Sequence, residues 1–133
     1  MKASKTLFWI LTAAVAVFFL GTYVKEWFWG KIFLVNITIL FLLGSALTYF
    51  TWKEKKRNKF MLLTGISMVG FFVFVMLHNF LYALGVLTKN ILVLHYLFEI
   101  LHAIAFLIAV IICPLAFLVG VISSIVLMIN KKH

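Results

Sequence analysis

The sequence predicts an all-α integral membrane protein, a four-helix transmembrane bundle made of two helical hairpins, and three observations carry that expectation. Of 133 residues, 66% are hydrophobic and only 11% charged. The mean hydropathy is +1.22, more than a water-soluble domain of this size tolerates. The few charges fall in short clusters, and the stretches between them are long enough to cross a bilayer. No internal repeat, low-complexity tract or linker divides the chain, so residues 1–133 read as one domain.

The first span is expected at about residues 7–24. Its start, Met1-Lys2-Ala3-Ser4-Lys5 ahead of an apolar run, has the outline of a signal peptide, with Ala14-Val15-Ala16 as a cleavage-like site. The run continues through Phe18, Phe19 and Leu20 to Val24, however, which suits a span better than a signal core. Residues 25–31 form an aromatic turn into a second span at 32–50. Tyr23, Trp27 and Trp29 then mark one interface, and Trp9, Tyr49 and Trp52 the other, since these rings prefer the headgroup level.

Residues 53–59 carry five basic side chains and one acid and must lie in water. A third span is expected at 60–85, with Gly85 near its end and Thr88 or Asn90 capping the next helix. The last apolar stretch, 91–129, has 39 residues. As one helix it would measure about 58 Å, against a hydrocarbon core of roughly 30 Å. The expectation is therefore a last helix bent or broken on the outer side, with an interfacial helix at 91–103 and the span itself at 104–129. Pro114 offers a second bending point.

Lys and Arg number nine at the termini and central loop against three in the other loops, which predicts a multi-pass protein of the cell membrane with both termini cytoplasmic. The net charge of +9 would suggest nucleic acid in a soluble protein. Here it flanks apolar runs, so the lipid bilayer is the expected partner and nucleic acid is not. The central basic loop also reads as a surface for anionic lipid or an acidic partner. Cys113 is the only cysteine and cannot form an intrachain disulfide.

The residues able to carry chemistry are few. His95, Glu99 and His102 are spaced by four and then three, one face of a helix. The same spacing onward meets Ala105, Ala109, Cys113, Ala116, Gly120 and Ser124, a small-residue stripe suited to helix packing. His78 and Asn79 of the third span lie at a similar depth, so His78, His95, Glu99 and His102 are candidate metal ligands near the outer leaflet. His95 and His102 are roughly 10 Å apart along a helix, so one ion would take an adjacent pair plus His78.

Glu99-Ile100-Leu101-His102 matches one element of a di-iron bundle, but only Glu26 and Glu54 remain as carboxylates, which excludes that centre. His78 and His102 on facing helices would suit a haem, and Glu99 beside histidines would suit a proton site. The bland readings are an interfacial helix whose polar face meets water and a His78 that makes an interhelical hydrogen bond. No G-x-S-x-G elbow, catalytic Asp or phosphate loop is present. The leading expectation is a non-enzymatic assembly or accessory component. It would self-associate or join a larger complex through Ala109, Ala116, Gly120 and Ser124. The alternatives are a cation- or proton-binding transport protein and a haem-binding redox protein.

Overall fold

A chain this apolar must satisfy its backbone N–H and C=O groups within itself, and helices do so segment by segment. The computed structural model describes residues 2–24, 31–55 and 58–131, the side chains of 22–24 and 31–33 excepted. The described helices are α1 (Lys2–Val24), α2 (Lys31–Lys53), α3 (Lys59–Leu87), α4 (Leu92–Leu107) and α5 (Cys113–Asn130). A π-helical turn, Ile108–Ile112, joins α4 to α5, so that Leu92–Asn130 runs as one helix. Four helices, counting that stretch as one, are long and apolar enough to cross a membrane. The expected aromatic turn at 25–30 lies outside the described residues.

The elements pack in chain order, α1 on α2, α2 on α3, and α3 against the whole last helix. One end of the bundle gathers Lys5, Lys53, Lys55, Lys59 and Lys131, and is called the basic end; the other is the histidine end. The core lies toward the basic end, where Phe8, Leu11, Leu47, Met61, Met68 and Val121 are buried together. Close approach there depends on glycine. A Cβ on Gly65 would stand 2.9 Å from the Thr48 backbone nitrogen, and one on Gly120 would stand 2.9 Å from the Phe60 carbonyl oxygen. Small residues admit such backbone contact between helices where lipid, not water, surrounds them.

Counted from the Gly44–Gly65 crossing, α2 extends about 20 Å to Lys31, while α3 extends about 33 Å to Leu87. The α3–α4 hairpin thus reaches past the start of α2, and among the described residues α3 and α4 face each other at its tip.

Three details depart from expectation. Residues 91–103 do not form a separate helix, since α4 continues along α3 without interruption at 103–104. The discontinuity falls at Ile108–Ile112, where the Cys113 N–H bonds the Ile108 carbonyl, a step of five residues in place of four. Pro114 explains the position: it has no N–H for the Val110 carbonyl, and its ring would strike that carbonyl in a regular helix. Thr88 closes α3 rather than capping α4, its hydroxyl donating to the Leu84 carbonyl at 2.8 Å. Helix α4 is preceded by Ile91, which provides no side-chain cap. Asn58 is the cap that forms, its Oδ1 accepting from the Phe60 N–H at 3.0 Å at the start of α3.

Candidate functional site

A short turn, 88–91, forces α3 and α4 to lie antiparallel, and the four-then-three spacing of their polar residues makes the two polar faces meet. His78 donates from Nδ1 to the His102 carbonyl at 2.9 Å. His95 donates from Nδ1 to the Gly85 carbonyl at 2.8 Å. His102 turns its Nδ1 to the Phe98 carbonyl at 3.2 Å. A carbonyl can only accept, so each ring carries its neutral-state proton on Nδ1, and Nε2 is the nitrogen that accepts a further proton or a ligand.

The rings form a continuous seam. His78 and His102 have centroids 5.2 Å apart, Phe106 lies 5.2 Å from His78, and Tyr82 meets His102 edge-on at 5.6 Å. Glu99 Oε2 is 3.9 Å from His102 Nδ1, with the His102 side chain 16% exposed and that of Glu99 41%. Glu99 is thus the carboxylate beside His102, one turn earlier on the same helix. Asn79 takes no part, its Nδ2 donating to the Val75 carbonyl of its own helix.

The four candidate ligands are distributed along the seam. His102 neighbours His78 on one side and Glu99 on the other, whereas His95 is tied to Gly85 nearer the tip. Among the described residues no three side chains of His, Cys, Asp or Glu come together in a way that would hold a metal ion. A haem fits no better, because the contacting rings of His78 and His102 leave no slot for a porphyrin plane between them.

The small-residue stripe faces α3. Ala105, Ala109, Cys113, Gly120 and Ser124 are buried, and Ala116 is half-buried. Gly120 sits on Phe60 and Thr64, and Cys113 sits on Gly70. The stripe therefore serves packing inside the chain, and α3 occupies the surface expected for association. The hydroxyls of Thr12, Thr48, Thr64 and Ser67 each donate to a carbonyl of their own helix, and none of these is aligned with an imidazole.

Sequence reasoning missed Tyr82 and Gly85, although a signal is present. His78, Tyr82 and Gly85 repeat on α3 the spacing of His95, Glu99 and His102 on α4. It also missed a second polar contact at the basic end, where Ser4 donates to the Glu54 carboxylate. Burial opposes ionisation of Glu54, but the Ser4 hydrogen bond and nearby positive charge, Lys5 among it, outweigh burial and hold the carboxyl below its ordinary value. A folded-state value below the unfolded one makes the contribution to stability fully present above the unfolded value of 4.5, and it is lost as pH falls through the folded value. With Glu54 itself still partly exposed, the gain is below about 1 kcal/mol. Unfolding in detergent as a function of pH will show this acid loss in the wild type and not in Glu54→Gln.

Comparison with family models, with curated proteins and with solved structures finds no match for this chain. Fold and seam together define a class only: among the described residues, an all-helical arrangement with four helices long and apolar enough to cross a membrane and a histidine-bearing seam between two of them.

Proposed function

We propose that this chain is a multi-pass protein of the cell membrane, with both termini cytoplasmic, that binds protons at the histidine seam near the outer surface and catalyses no reaction. The observation that carries this is the arrangement of His78, His102 and Glu99. Two imidazoles stand 5.2 Å apart, each with Nδ1 already held by a main-chain carbonyl, and one carboxylate lies beside that of His102. Protonation at Nε2 leaves those hydrogen bonds intact, so the seam can change charge without coming apart. Histidine is the side chain whose charge ordinarily changes near neutral pH, and ionisable groups between membrane helices mark proton or ion sites. The assembly role expected from the small-residue stripe is set aside, because α3 covers Gly120 and Ser124 is buried within the chain.

The test is a titration of histidine ring signals by NMR on the full chain in lipid nanodiscs, from about pH 8 to about pH 5, the range in which histidine ordinarily changes charge. A pH-dependent ring signal from the His78–His102 pair is expected in the wild type, and its loss from a His78→Phe/His102→Phe variant would assign it to the seam. No titrating signal from His78 or His102 would end the proposal.

A further inference from the structure

At the basic end, and remote from the histidine seam, a groove of about 560 Å³ runs between α2 and α3. Ser45, Tyr49 and Trp52 form one wall, Val69 and Val73 the other, and Lys53 stands at its end. It opens sideways, with Tyr49 55%, Trp52 61% and Val73 49% exposed. The volume lies within the roughly 300–1,000 Å³ of small-molecule sites. From Ser45 to Lys53 the groove is about 12 Å long, most of one leaflet of a hydrocarbon core roughly 30 Å thick.

Its chemistry changes along that length. Valine side chains and the Ser45 methylene line the deep part, the Ser45 hydroxyl being turned to the Phe41 carbonyl at 2.8 Å. Tyr49 and Trp52 follow, at the level where such rings meet headgroups. The Lys53 ammonium then lies 4.5 Å from the Tyr49 ring centroid, laid along the rim of the groove. Lys55 and Lys59 are exposed close by. The only acid of the 53–59 segment, Glu54, is drawn to Ser4 at the start of α1. The headgroup end of the groove is thus cationic, beside a slot matched to a hydrocarbon chain.

We propose that this groove binds one anionic phospholipid, with an acyl chain between Ser45 and Val73 and the phosphate on Lys53, supported by Lys55 and Lys59. Positive charge flanking a membrane helix is expected for topology alone; the added claim is a fixed lipid position next to Trp52. It rests on the membrane-spanning arrangement and is independent of proton binding at the seam.

Fluorescence quenching tests it. A full-length variant keeping Trp52 as sole tryptophan (Trp9→Phe, Trp27→Phe, Trp29→Phe) is placed in phosphatidylcholine vesicles containing brominated phosphatidylglycerol or brominated phosphatidylcholine. Trp52 is expected to prefer the anionic lipid by roughly fivefold or more, the effect of about one well-placed lysine. Lys53→Gln should bring that preference close to one, and Ser45→Phe should reduce quenching by filling the slot. A matching variant retaining only Trp9 should show no preference. Equal quenching of Trp52 by both lipids, or a preference that survives Lys53→Gln, overturns the proposal. Should the tryptophan substitutions prevent folding, native mass spectrometry of the wild-type chain, titrated with phosphatidylglycerol, decides. One lipid retained in the wild type and lost in Lys53→Gln supports the site, and equal retention rejects it.

Discussion

Gly120→Ala and Gly65→Ala will each destabilise the chain by about 1–3 kcal/mol, the range for overpacking, whereas Gly85→Ala will be neutral or slightly stabilising. The three positions differ only in what a methyl group would meet. At Gly120 it would stand 2.9 Å from both the Phe60 carbonyl oxygen and the Thr64 nitrogen. Backbone cannot rotate out of the way, so α5 must move off α3. At Gly65 the obstacles are the Thr48 nitrogen at 2.9 Å and the Gly44 carbonyl at 3.1 Å. At Gly85 the nearest atoms are the Glu99 carboxylate oxygen at 3.5 Å and the Phe98 Cβ at 3.6 Å, ordinary contacts. There the gain in helix propensity, up to about 1 kcal/mol, is unopposed.

The order of severity should also reverse that of water-soluble cores. Phe8 is fully buried, yet Phe8→Ala is expected to cost less than the roughly 3–5 kcal/mol seen in water. Lipid is as apolar as the bundle interior, so only packing contacts are lost. Reversible unfolding in mixed detergent micelles measures all four variants. A Gly120→Ala variant as stable as the wild type would show that α3 and α5 are not in backbone contact.

The second large effect is the loss of the hydrogen bond that ties α3 to the main chain of α4. His78 donates from Nδ1 to the His102 carbonyl at 2.9 Å, and its ring packs on those of His102 and Phe106. Where lipid surrounds the helices such a bond is worth about 0.5–2 kcal/mol, so His78→Leu is expected to lose about that much stability in the same unfolding assay. Asn79→Leu is expected to lose far less, because the Asn79 amide donates to the Val75 carbonyl of its own helix. A His78→Leu variant as stable as the wild type would show that this link between the two helices contributes nothing.

The helices themselves are legible because an apolar chain leaves its charges, Glu99 apart, at helix ends. Their limits are less so: α1 begins at Lys2, five residues before the expected span, because Lys2 and Lys5 take helical conformation at an end where lysine is tolerated. The expected break before residue 104 came from comparing one helix with the thickness of a bilayer. The structure instead carries α4 through that point, with α3, itself 29 residues long, running beside it. The nearness of His78, Glu99 and His102 follows from a short turn and matching depth, both readable. That His95 would reach the Gly85 carbonyl instead depends on which way one ring turns, and spacing does not contain that. Likewise, the stripe from Ala105 to Ser124 reveals a small face but not which helix covers it.

The wide turn at Ile108–Ile112 bears on that face. In a regular helix, residues four apart drift by about 40° at each step, so a stripe so spaced gradually winds out of contact with a straight neighbour. A five-residue hydrogen-bond step sets the helix back by about one residue's rotation. Ala105 and Ser124, on opposite sides of it, are accordingly both buried against the bundle. The turn behaves as a one-residue insertion absorbed in place. Deleting Ile111 together with Pro114→Ala would let the bulge anneal into plain helix with both flanking faces still in phase, whereas a deletion elsewhere would swing one end by about 100°. The last helix therefore has one site at which its length can change without loss of alignment, and the two ends of the molecule are free to diverge on either side of it.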